Sequence, residues 1–167
     1  MITNSLDLEF LNLEGLLGCF ISKEVGILDL ENLIAKKGNL KIFYLVEGYQ
    51  QLFFTRRPLA KIQNNKLEEN KRYYLKEKLR KVLKNPIYEN KNGFFVFREN
   101  KFYLGNDLIN NLGLDYLFID NFFDDDKYSG DILQVIDGSL NMSDVDTKYK
   151  VIHDNYHLTA KFEGEDE

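Results

Sequence analysis

Four polar side chains follow apolar runs at intervals that suggest shared chemistry: Asn4 after residues 1–3, Glu24 after 16–22, Glu47 at the end of 40–47 and Asp120 at the end of 116–120. If each run is a strand of a parallel α/β sheet, the four meet at the carboxyl ends of the strands, where ligands bind in such folds. Converging carboxylates can share a proton or hold a cation, each raising the pKa of its neighbour. Glu24, Glu47 and Asp120 are therefore the candidate catalytic groups. Strand-end acids that cap helices or face water would leave the same pattern. Asn4, Tyr49, Arg56 and Arg57 are the candidate substrate contacts. The two arginines suit a bidentate clamp on a carboxylate or phosphate, or an ion pair with the acidic remainder of the chain.

Other groups lack the partners their chemistry needs. His153 and His157 have i, i+4 spacing, but Asp154 stands where a metalloprotease motif requires Glu. Asp124, Asp125 and Asp126 lack the glycine and distal glutamate of a calcium loop. Cys19 is the sole cysteine, so no intramolecular disulfide forms, and in LLGCFI it reads as a small core hydrophobe. Ser5, Ser22 and Thr55 sit in no nucleophile elbow. The sequence thus calls for no metal and no cofactor.

These groups need elements to hold them. Residues 16–22 and 40–47 read as buried strands, and 27–37, with apolar residues at helical spacing, as the helix between them, closed by Gly38-Asn39. This is a βαβ unit. In residues 40–59, LKIFYLVEGYQQLFFTRRPL, the strand is expected to end at Glu47-Gly48 and break into an aromatic loop closed by Arg56-Arg57-Pro58. Residues 6–13 form a helix capped by Asn4 or Ser5, and residues 1–3 read as the end of a strand begun upstream. A hairpin is expected across Asn90-Lys91-Asn92-Gly93, then a helix at 106–112, a strand at 116–120 and a helix at 128–136. Residues 143–167 read as an irregular tail.

At 167 residues and 44% hydrophobic, the chain is long enough for one cored domain. No apolar run approaches the roughly 20 residues of a membrane span, and no basic-then-apolar leader opens the chain. A cytoplasmic protein without membrane contact is expected. Charge is unevenly spread. Residues 55–84 hold eleven Lys and Arg against Glu68, Glu69 and Glu77, a local +8 within a chain of −5. Interleaved with Phe53, Phe54, Tyr73 and Tyr74, this segment suits an RNA backbone with stackable bases; a solvated surface would look the same.

Taken in order, ITNS, LLGCFISKE, IFYLVEGY, GYQQLFFTRRPL, NPIYENKNGFFVF and LDYLFID resemble the collagenase-like peptidase family, family thirty-two among peptidases of unassigned catalytic type. The likeness is to its carboxyl-terminal part and to its shorter, cysteine-poor members. It implies a TIM-barrel-like α/β fold, and because a complete barrel takes about 250 residues, a partial one: residues 1–142 as the carboxyl-terminal half of βα units, with a basic insertion at 54–84 and an inserted β-hairpin at 85–104. Some members are described as collagen-degrading proteases; others hydroxylate RNA bases or quinone precursors with an iron-sulfur cluster on four cysteines. Here Gln51 and Pro58 occupy the first two cysteine positions, and Glu47 a position that is often His, so the resemblance implies no cluster. It implies a clusterless accessory subunit of a tRNA or RNA base-hydroxylating enzyme, with a collagenase-like peptidase using Glu24, Glu47 and Asp120, or a truncated fragment without independent activity, as alternatives. A half barrel has open edges, so a homodimer, or a heteromer with a larger cysteine-containing paralogue, is expected.

Overall fold

The computed structural model describes residues 1–63, 67–76 and 84–155. Asn4 adopts an extended conformation, and its side chain accepts a hydrogen bond from the Asp7 N–H at 2.9 Å, which starts helix α1 (Ser5–Leu13). Ile2 makes a single parallel bridge to Ile21, beside strand β1 (Gly18–Phe20). Helix α2 (Ile27–Ala35) buries Leu30 and Leu33 and leads to strand β2 (Lys41–Thr55), which runs parallel to β1. Ile42, Tyr44 and Val46 alternate onto one face of β2 and meet Leu8, Leu30 and Leu33 in the main core. On the other face, Phe43 lies against Phe20 and Tyr116.

Helix α3 (Leu59–Gln63) and strand β3 (Arg72–Lys76) follow. Strands β4 (Lys84–Asn90) and β5 (Gly93–Tyr103) then pair antiparallel across Lys91-Asn92, where the sequence places a hairpin turn. The Asn92 N–H donates to Asn90 Oδ1 at 2.9 Å and tightens that turn. Helix α4 (Asn106–Asn111), strand β6 (Tyr116–Asp120), helix α5 (Asp126–Ile136), helix α6 (Met142–Tyr149) and strand β7 (His153–Asp154) complete the described chain.

A TIM-barrel half built of repeated βα units is not what forms. The seven strands make one open mixed sheet in the order β1-β2-β5-β4-β3, with β6 on β2 and β7 on β5. Only β1–β2, β2–β6 and β5–β7 are parallel; the pairings of β5 with β2 and β4, and of β4 with β3, are antiparallel. The cause lies in β2, which does not break at Gly48 but runs as one 15-residue strand from Lys41 to Thr55. Its second half, rich in aromatic strand formers, takes β5 as its partner, so the sheet widens through a hairpin instead of closing. Gly48 serves another purpose than a turn. Its φ is +142°, and a Cβ there would stand 2.7 Å from Asp120 Cβ, so glycine admits β6 at close range.

The carboxyl-terminal region, expected to be irregular from 143, carries helix α6 and strand β7 within the described residues. Met142, Val145 and Tyr149 lie one helical turn apart and pack on Tyr128, Ile132 and Val135 of α5, which fixes α6. His157 and residues 64–66 and 77–83 of the basic segment lie outside the described residues. Among the described residues no helix is long and apolar enough to cross a membrane.

Candidate functional site

Lys101 stands near the carboxyl end of β5 with 1% of its surface exposed, opposite Tyr49 of β2. A buried ammonium is costly unless several partners replace its water. Here it donates to Glu47 Oε1 at 3.1 Å and Asp124 Oδ2 at 2.6 Å, and it lies 3.7 Å from the centroid of the Tyr128 ring and 5.1 Å from that of Tyr49. Glu47 is fully buried and also accepts from the Tyr128 hydroxyl at 2.6 Å. That hydroxyl lies 2.9 Å from His153 Nε2, whose Nδ1 is 2.5 Å from Asp146 Oδ1. Burial, and then the Glu47 carboxylate, push the Tyr128 phenol far above its ordinary pKa. Tyr128 therefore stays protonated and acts as a donor. Glu47 Oε2 has no hydrogen-bond partner among the described residues.

This network fixes the wall of an open groove. His153 anchors β7, Asp154 accepts from Arg98 Nη2 at 3.1 Å and Asn100 Nδ2 at 2.8 Å, and the Lys101 N–H donates to Ile152 O at 2.9 Å. The segment 150–154 is thereby clamped along β5. Beside it lies a cavity of about 510 Å³ lined by Tyr49, Tyr74, Lys76, Lys84, Glu99, Asn100 and Lys150, with Val151 and Ile152. Val151 also borders a second cavity of about 400 Å³, whose other walls are Arg72, Phe123, Asp124, Asp125, Tyr128 and Tyr149. Arg72 sits between the two, its guanidinium 5.8 Å from the Tyr74 ring and 5.3 Å from that of Phe123.

Of the residues singled out in the sequence, the structure brings Glu47, Asp120 and Tyr49 together. Asp120 pairs in register with Gly48, and burial raises its carboxyl pKa despite the Phe122 N–H that it accepts at 3.1 Å. Tyr49 is buried against Phe97 and Phe123, and burial pushes its phenol up to about 12. Glu24 is exposed and stands by Lys23, whose pKa burial lowers. Asn4 is occupied in capping α1. Arg56 and Arg57 lie past Thr55, eight residues beyond Glu47 along β2 and so roughly 25 Å away at strand rise; among the described residues neither has a carboxylate partner.

Sequence reasoning missed Lys101, Asp124 as its partner, Tyr128, and His153 in any role but metal ligand. Lys101 carried a weak signal, a cation directly before Phe102 and Tyr103 in a strand that also holds Arg98, since lysine is rarely buried without a carboxylate to meet it. His153 carried none. Among the described residues no group of three acidic, histidine or cysteine side chains could hold a metal ion.

Fold and site together define an open mixed α/β sheet protein with a lysine-centred buried network beside a cationic, aromatic groove. No protein-family model, curated protein or solved structure matches this chain.

Proposed function

We propose that this chain is an RNA-binding accessory subunit of an enzyme that hydroxylates RNA bases, tRNA bases in particular. The observation that carries the reading is the 510 Å³ cavity, which Lys76, Lys84 and Lys150 line together with Tyr49 and Tyr74, against one carboxylate, Glu99. Lysines that neutralise phosphates and aromatic faces that accept bases are the two components of single-strand binding. Tyr74 is 52% exposed, so its ring is open to a stacking partner. Lys76 and Lys84 belong to the basic segment, whereas Lys150 comes from beyond α6, so the fold gathers cations that the sequence separates.

The redox chemistry belongs to a larger cysteine-containing paralogue in this reading, because a chain with one cysteine cannot hold a four-cysteine cluster. That paralogue, or a second copy of this chain, covers the open aromatic face of the sheet. In this reading the assembly works in the cytoplasm.

Titration with unmodified tRNA and with single-stranded RNA at several salt concentrations tests the proposal. Three phosphate contacts predict a log–log salt slope of about −2 on single strands. Replacing Lys76 and Lys150 by Gln should weaken binding at least about tenfold and flatten the slope by about 1.4. Absence of binding at low salt would overturn the reading.

A further inference from the structure

At the far end of β2 from Phe43, side chains line up in a row across the sheet. Phe54 of β2 pairs in register with Phe95 of β5, Phe95 with Tyr88 of β4, and Tyr88 with Arg72 of β3. Residues directly opposite one another share a face, so the row crosses the sheet over roughly 14 Å at a strand spacing of about 4.8 Å. Ring centroids are 4.8 Å apart for Phe54 and Phe95 and 6.4 Å for Tyr88 and Phe95. Phe122, just after β6, adds a ring 5.0 Å from that of Tyr88. The reverse face is packed, with Ile87, Phe94 and Val96 buried against Ala60 of α3. On the row's own face Phe54 and Phe122 are 43% and 47% exposed.

We infer that this face is a stacking platform for about two or three further bases of the single-stranded RNA whose phosphates lie on Lys76, Lys84 and Lys150, an inference that rests on the RNA-binding reading. Sheets with aromatic rings across four strands stack about that many bases. Charge selects this occupant over an apolar peptide. The row has cations at either end, Arg72 on β3 and Arg56 and Arg57 just past β2, all exposed. Rings between cations fit a polyanion that carries a flat base on every unit. The nearby carboxylates are engaged elsewhere. Glu89, next to Tyr88, accepts the Ala60 N–H at 2.9 Å on the reverse face, Asp124 holds Lys101, and Asp125 caps α5. The path is also continuous with the lysines. The Arg72 guanidinium lies 5.8 Å from the centroid of the Tyr74 ring, which lines the lysine cavity, so a strand leaving that cavity meets Arg72 and then the row. Phe54 and Phe122 receive the bases, and the half-buried Phe95 and Tyr88 hold those two rings in place.

Binding of fluorescent oligouridines of about four and about eight nucleotides to the full chain tests this. Phe54→Leu and Phe122→Leu keep an apolar side chain and remove the ring. With an unchanged circular dichroism spectrum, each should weaken binding of the longer oligonucleotide at least about fivefold and of the shorter one less than about twofold. The salt slope should stay as it is, because phenylalanine carries no charge. Phe54→Tyr, which keeps a ring, should bind within about twofold of the parent chain. Full affinity for the longer oligonucleotide in both leucine variants overturns the platform and leaves the RNA-binding reading standing. An equal loss on both lengths overturns it as well, since the rings would then act through the lysine cavity. If the leucine variants change the mass seen by light scattering and leave RNA affinity intact, the face holds protein and the platform is overturned. Binding of neither oligonucleotide by the parent chain overturns this inference and the RNA-binding reading together.

Discussion

Without its ammonium, Lys101 would leave Glu47 and Asp124 without the cation that both hold, and breaking a buried pair by removing one partner costs about 3–5 kcal/mol. Lys101→Met should therefore lower the urea unfolding free energy by that amount; a loss below about 1 kcal/mol would show that water reaches the carboxylates. Asp115 allows a test by pH. Lys37 at 2.5 Å, the Ile42 N–H and Lys41, the latter two at 3.0 Å, hold its carboxyl well below the usual carboxylate range. A depressed folded pKa stabilises fully above the unfolded value of about 3.9 and is lost as pH falls. Asp115→Asn should be less stable than the parent chain at pH 7, with the gap closing between about pH 4 and pH 2; a gap that is constant with pH would remove the ionic contribution. Glu47 was legible in the sequence as a polar residue ending an apolar run. Its role was not, because its partners come from β5, α5 and β7, 54 to 106 residues away.

At the scale of elements, the βαβ unit and the strand at β6 could be read because apolar periodicity and turn residues agree locally. The course of β2 could not. Glycine marks a turn, a bulge or a close approach equally well, and only the packing of β6 against Gly48 decides among them. Gly48→Ala should cost about 1–3 kcal/mol from its backbone conformation, with the clash at Asp120 added. A neutral effect would mean that β2 and β6 separate more easily than their register implies. The strap 150–154 escaped sequence reading because its order depends on one histidine meeting groups of three other elements, Glu47, Tyr128 and Asp146. His153→Ala should free it. The Lys101 amide, which donates to Ile152 O, should then exchange its hydrogen at least about tenfold faster, and RNA affinity should fall because Lys150 and Val151 lose their place. Unchanged exchange would show that Asp154 alone holds the strap.

At the scale of the whole molecule, one face of the β1-β2-β6 sheet is packed by helices and, among the described residues, the other is left open. On the open face Phe20 and Phe43 lie 5.0 Å apart, Phe43 and Tyr116 4.5 Å, and Phe20 and Phe118 5.8 Å between ring centroids. Phe20, Tyr116 and Phe118 are 45%, 51% and 44% exposed, with Leu16 and Leu17 beside them also in solvent. Contiguous apolar surface of this kind marks an interface. Among the described residues β6 pairs only with β2, so its outer edge offers unpaired backbone groups next to the same patch. Self-association or capture of the paralogue would cover both. Light scattering on the purified chain should show a mass that rises with concentration, and Phe118→Lys, which puts a charge into the patch beside Phe20, should return it to the monomer without a loss of unfolding cooperativity. If the parent chain stays monomeric at every concentration and no larger paralogue binds it, the open face is not an interface and the accessory-subunit reading loses its partner. If Phe118→Lys abolishes association but leaves tRNA affinity intact, the two surfaces act separately: the aromatic face assembles the enzyme while the lysine groove holds its RNA.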